Sequence, residues 1–277
     1  MKFKIFIILF CITLYNGVNA QLQQQYEHSG EYGASVGLGH YFGDLNPNAA
    51  LNHPKFSAGI FYLKQLNNYV SYKLSGNYIF LGYSDAYSTN PVQHLRNLSF
   101  NTDIYEASIS GNFNFFKYFP ELPEYRFTPY ISLGIGGIYF NPYTFLNGKK
   151  VYLQPLGTEG QGNTAAAKKK YSKFAMVVPI GIGMKYNITD ELNIFGELIY
   201  RFTTTDYLDD VSGTYAGTDA FVDGSVAQKL QDRSYQYGNI IGLPGRQRGN
   251  TKQTDAYATF QIGVSVNIQT YRCPTFK

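Results

Sequence analysis

Eight segments of this chain place bulky apolar residues at every second position, with small, polar or charged residues between them, over stretches of about ten residues. A period of two belongs to a strand whose two faces meet different surroundings. One segment sets Val70, Tyr72, Leu74, Tyr78 and Phe80 against Ser71, Lys73, Ser75 and Asn77. Another sets Tyr105, Ala107, Ile109, Phe113 and Phe115 against Glu106, Ser108, Ser110, Asn112 and Asn114. Slipping either by one residue carries Lys73 or Glu106 onto the apolar face, so the register is strongly specified. The other segments cover residues 32–39, 56–63, 130–139, 176–185, 193–203 and 258–268. Two are irregular. Both faces of 56–63 are bulky and apolar, and Pro179, which has no ladder donor, interrupts 176–185, where a bulge or a frayed upper end is expected.

The first residues read as a secretory signal: Lys2 and Lys4, an apolar run over 5–14, and Val18-Asn19-Ala20 for cleavage. Residues 1–20 are expected to be removed, leaving 21–277 as one barrel domain. Cys11 leaves with the signal, so Cys273 is the single remaining thiol and no internal disulfide framework is possible. Beyond the signal no apolar run approaches the roughly 20 residues a spanning helix needs. A closed barrel is the other spanning solution, because hydrocarbon satisfies no open sheet edge. Ten residues at about 3.3 Å, tilted by about 40°, cover roughly 25 Å, the height of an outer-membrane apolar band.

Connection lengths alternate. Residues 67–68, 117–126 and 187–192 are short links, whereas 41–54, 85–101, 141–173 and 204–255 are long. The expected fold is therefore all-β, an eight-stranded antiparallel transmembrane β-barrel in the outer membrane, with long extracellular loops and periplasmic termini. Abundant Tyr and Phe, 26 and 21 residues, suit strands and membrane interfaces. A net charge of +4 without a basic helix face gives nucleic-acid binding no support.

Side chains just fill an eight-stranded barrel, which argues against a pore. The inward register brings Lys73, Glu106, Lys185, Glu197 and Arg201 into that interior, where mutual pairing is the expected arrangement. A proton path or substrate site is the alternative reading. Gly-x-Gly at 37–39, 134–136 and 181–183 lies within strands and opens no helix, so it is strand packing and not a phosphate loop. His28, His40, His53 and His94 lack metal-ligand spacing. Asp206, Asp209 and Asp210 open the longest loop, and His94 in another loop is a conceivable base for them; turn capping or solvation is the blander role.

Several segments carry a likeness as an ordered set: Arg96-Asn97-Leu98-Ser99-Phe100, Asp103-Ile104-Tyr105-Glu106, Phe140-Asn141-Pro142, Asn147-Gly148-Lys149, Leu153-Gln154-Pro155-Leu156-Gly157-Thr158-Glu159-Gly160-Gln161-Gly162, Thr205-Asp206-Tyr207-Leu208-Asp209-Asp210-Val211 and Arg272-Cys273-Pro274. Together they resemble the PorG family, the outer-membrane barrel component of the Bacteroidota type IX secretion system, over nearly the whole mature chain. The resemblance implies a non-enzymatic anchor or scaffold for a periplasmic lipoprotein ring, serving protein secretion, and gliding motility where the organism glides. It implies ring lipoprotein and associated secretion proteins as partners, with membrane lipid around the wall, and neither a cofactor nor a small-molecule substrate. Residues 165–170 and much of 216–252 fall outside the likeness. Periplasmic contacts are expected from Phe119, Pro120, Glu121, Leu122 and Pro123, from the arm 21–31, and from the tail with Arg272 and Cys273. An outer-membrane lipid or peptide hydrolase using the rim acids, and a passive OmpA-like structural barrel, are the alternatives.

Overall fold

The computed structural model describes residues 28–120, 122–162, 168–189, 191–238 and 240–269, so the signal segment and the tail lie outside it. Its strands are β1 (His28–Phe42), β2 (Lys55–Gln65), β3 (Val70–Ser84), β4 (Ser99–Asn114), β5 (Phe127–Tyr139), β6 (Tyr143–Leu146), β7 (Lys149–Tyr152), β8 (Phe174–Asn187), β9 (Leu192–Thr203) and β10 (Ala256–Gln269). Two short helices, α1 (Pro91–Arg96) and α2 (Val226–Gln231), lie in loops. The order β3-β2-β1-β10-β9-β8-β5-β4, with β4 returning to β3, closes eight antiparallel strands into a barrel. Strands β6 and β7 form a hairpin that touches β4 through Asn101 and Tyr143.

All eight segments fall in barrel strands, and the seven with a clear alternation keep the register read from the sequence. The usual burial order is inverted: Ile60 and Ile109 are 69% and 49% exposed on the outside, while Lys73 and Glu106 are 5% and 4% exposed within. A wall that shows apolar side chains outward and keeps its charges inside is built for lipid, and this exterior is that of an outer-membrane barrel. Tyr78, Tyr105, Tyr139 and Phe174 stand in register on neighbouring strands and form an aromatic row on the outer half of the wall.

The irregular segments have specific causes. On β2, Phe61 and Leu63 point inward, and the Phe61 ring meets Phe195 edge-on at 5.2 Å. Room for these two rings comes from missing side chains: a Cβ on Gly33 would stand 2.2 Å from Phe61, and one on Gly263 would stand 2.5 Å from Phe195. Pro179 makes neither a bulge nor a frayed end. Strand β8 continues past it to Phe174 with unshifted register and pairs through it with Arg201 of β9, while the ladder to β5 lapses between Ile180 and Val177.

All four long loops gather at one end. Beneath them the buried apolar core fills the outer half of the barrel, with Tyr41, Ile79, Leu81, Phe100, Ile104, Ile138, Phe140, Val177 and Tyr257 inside the wall and Leu45, Leu98, Leu153, Leu208 and Leu230 from the loops. At the opposite end the turn after β4 tucks Tyr118 into the barrel mouth, where its hydroxyl donates to Asn193 Oδ1 at 2.6 Å.

A lysine on the lipid face near mid-height costs about 2–4 kcal/mol. Ile109→Lys and Val264→Lys are therefore expected to lower the fraction of chain that migrates as folded barrel in unheated gels, and Ile109→Val to leave that fraction unchanged.

Candidate functional site

Six charged side chains run along the barrel axis as three pairs. Near the periplasmic end Lys185 Nζ donates to Glu31 at 2.7 Å; further up, Lys73 Nζ donates to Glu197 at 2.7 Å; nearest the loops, Arg201 Nε lies 2.6 Å from Glu106. All five lumen charges expected from the sequence take part. Glu31 completes the set, so it is a wall residue of β1 and not part of a free periplasmic arm. Neutral donors add to the pairs: Tyr130 donates to Glu197, Tyr257 and Asn77 to Glu106, and Ser265 to Glu31. The Lys73 ammonium also lies 5.4 Å from the Phe61 ring, and that of Lys185 lies 5.2 Å from Tyr118. Between the two upper pairs lies a void of about 10 Å³, roughly the space of one water. The ion pairs and their neutral partners fill this part of the lumen.

Above the core, two arginines stitch the four long loops into a plug. Asn90 caps α1 by accepting from Val92 N, Pro91 starts it and Asn97 ends it in a left-handed conformation, which fixes Arg96 at its last turn. Arg96 grips Asp85 through Nε and Nη2, both at 2.7 Å, and also donates to the carbonyls of Asp44 (3.0 Å) and Arg248 (2.6 Å). Arg248 reaches Glu159 Oε1 at 3.2 Å, the Asp210 carbonyl at 2.6 Å and the Gln231 carbonyl at 3.2 Å. Loops 43–54, 85–98, 140–173 and 204–255 are thereby joined through two side chains.

The family-like segments converge in this plug. Glu159 also accepts from the backbone N–H groups of Ser212 and Gly213, Asp210 accepts from Thr158 and Tyr171, and the Tyr171 ring stacks on Tyr207 at 4.4 Å. Leu153 is in the core, Gln154 donates to the Tyr171 carbonyl, and Pro155 and Leu156 form one turn of 3-10 helix. Gly157 ends that turn at φ +61°, where a Cβ would stand 2.0 Å from the Gln161 carbonyl oxygen; Gly160 also has positive φ. Asn147 and Gly148 do not join the plug: both are exposed and left-handed, in the turn between β6 and β7.

Carboxylates crowd the plug around the two arginines, among them Asp44, Asp85, Glu159, Asp206, Asp209, Asp210 and Asp255. Burial raises the Asp44 and Asp210 carboxyls to about 6 and that of Asp206 to about 7. His94 is not among them; it is exposed, with its ring 5.6 Å from Tyr237. Asp209 and Asp210 are thus knitted into the plug's interior, Asp206 lies half-buried at its side, and the structure does not bring His94 and those acids together.

Of the expected periplasmic residues, Leu122 and Pro123 are exposed, Phe119 is half-buried and Pro120 is buried, so that turn offers a smaller surface than its sequence suggested. Glu121, Arg272 and Cys273 lie outside the described residues. Sequence reasoning missed Arg248, which sits in a stretch outside the likeness, and the roles of Arg96, Asp44 and Asp255. Each has a partner between 52 and 214 residues away, and no local pattern announces such pairs.

Residues 3–242 match the model of a family described as a domain of unknown function, DUF6089. No curated protein matches the chain in sequence. Among solved structures it is similar to Neisserial surface protein A (11% identity, 86% of this chain and 97% of that one, TM-score 0.42). It is likewise similar to OprG of Pseudomonas aeruginosa (8% identity, 88% and 98%, 0.39). A third is Ail of Yersinia pestis, solved with the heparin analogue sucrose octasulfate (12% identity, 87% and 99%, 0.38).

Removing one partner of a buried ion pair costs about 3–5 kcal/mol, whereas replacing both with apolar residues of similar volume is often neutral. Lys73→Met alone should lower the urea midpoint of the micelle-bound barrel, and Lys73→Met with Glu197→Leu should recover most of the loss. Equal midpoints for the single and double variants would contradict this pairing.

Proposed function

The chain belongs to the DUF6089 family, and we propose that it is the outer-membrane barrel component of a Bacteroidota type IX secretion system, a non-enzymatic anchor for the periplasmic lipoprotein ring. The observation that carries this reading is the meeting of the motif segments. Thr158 of one motif bonds to Asp210 of another and Glu159 to Ser212 and Gly213 just past it, so segments that resemble one family in sequence also form one object in space. The lumen side chains, paired across the barrel, support an anchoring role over that of a conduit, because a polypeptide would have to part them. In this reading the long loops build a rigid outer cap, and the partners meet the periplasmic side, where Leu122, Pro123 and Glu124 are the exposed part of the longest short-side turn. Secretion, and gliding in organisms that glide, would depend on the anchor being present and not on turnover at the barrel.

A tagged copy drawn from outer membranes in mild detergent is expected to bring the ring lipoprotein and its associated secretion proteins with it. Leu122→Asp should reduce that recovery severalfold while gel mobility of the barrel stays unchanged. Recovery of the barrel alone from wild-type membranes, together with normal cargo secretion in a deletion strain, would favour a passive envelope barrel instead.

A further inference from the structure

Tyr41, Asp209 and Asp255 meet where the last turn of β1 faces both ends of loop 204–255, and each is at most 2% exposed. Tyr41 Oη lies 2.6 Å from Asp209 Oδ2 and 2.8 Å from Asp255 Oδ1. Each of these two oxygen contacts needs a proton between its atoms, and a tyrosine hydroxyl supplies one. The other must sit on a carboxyl. The outer oxygens of the pair are already committed, because Asp209 Oδ1 accepts from Val211 N at 2.9 Å and Asp255 Oδ2 from Leu208 N at 2.8 Å. Gly43 closes the node from the loop after β1, since a Cβ there would stand 2.0 Å from Asp255 Oδ1 and 2.1 Å from Tyr41 Oη.

The charges around the node give no substitute for that proton. Asp44 from the loop after β1 and Asp206 from the start of loop 204–255 are both acidic. Arg96 from α1 faces Asp209, but its hydrogen bonds go to Asp85 and to the carbonyls of Asp44 and Arg248. Among the described residues no lysine or arginine bonds to either carboxyl.

We propose that the outer plug is latched by a carboxyl proton shared among Asp209, Asp255 and Tyr41, and that the latch loosens as pH rises. Burial and the neighbouring acids raise both carboxyls well above their ordinary range, so the closed plug holds a proton that a released loop gives up near about 4. A group raised in the folded state contributes fully below its unfolded value and loses that contribution as pH climbs through its folded one. The latch is therefore tightest in acid. Because its two carboxyls bracket residues 204–255, releasing it frees both ends of the longest loop together. This holds whether or not the barrel serves secretion.

The test is cleavage of loop 204–255 at Lys229 and Lys252 by a lysine-specific endopeptidase in the full-length protein in lipid nanodiscs, from about pH 6 to about pH 9, with rates normalised to an unfolded peptide of the same sequence. Wild type should be cleaved faster as pH rises, by up to about tenfold per pH unit. Asp209→Asn carries an amide N–H where the proton stood, so it should be cleaved more slowly than wild type at high pH and keep only the shallower slope that Asp44, Asp206 and Asp210 contribute; Asp255→Asn is the parallel variant should the first fail to assemble. Tyr41→Phe should be fast throughout. A flat wild-type profile, or an Asn variant that keeps the wild-type slope, would overturn the proposal. So would protection that follows added calcium chloride and a chelator instead of pH, since a bound cation would then be holding the acids.

Discussion

Hydrocarbon satisfies no polar group, and each level of this structure answers that one constraint. The backbone answers it by closing β3 onto β4, which leaves the wall without an edge. The side chains answer it by sorting, apolar outward and polar inward. Six buried charges then have to neutralise one another, and they do so as Glu31 with Lys185, Glu197 with Lys73 and Glu106 with Arg201. Such pairs contribute little net stability over an apolar filling, but losing one partner is costly. Their effect is to hold one arrangement of the strands and to leave no channel.

Where a physical rule acts between neighbours in sequence, the fold was legible. Period-two alternation located all eight barrel strands, and alternating link lengths placed the long loops at a common end. Lys73, Glu106, Lys185, Glu197 and Arg201 were placed inside by register alone, because the hydrophobic face admits no other setting. Glu31 escaped since it stands before the first recognisable alternation. The segment 56–63 looked ambiguous because its inward Phe61 depends on Gly33 and Gly263, which lie on other strands.

The plug was far less legible. Its motifs were recognisable as sequence, but what they do depends on contacts among four loops. Glu159 stood in the sequence only as one position of a motif, and its partner Arg248 comes from a stretch with no family likeness. Asp209 and Asp210 are adjacent yet serve different partners, one bonded to Tyr41 at the barrel wall and the other to Tyr171 in a neighbouring loop. A left-handed backbone at Asp210, φ 66°, marks the bend between them. No periodicity encodes such a divergence.

Arg96 and Arg248 are 152 residues apart, and the carbonyl of one is held by the guanidinium of the other. Contacts of that sequence separation form slowly, because the chain between them must first be ordered. The closed wall brings the ends of all four loops to one rim, so these contacts depend on it. With β10 parted from β1, Tyr41 and Asp255 would be parted too, so the order of the cap reports the closure of the wall.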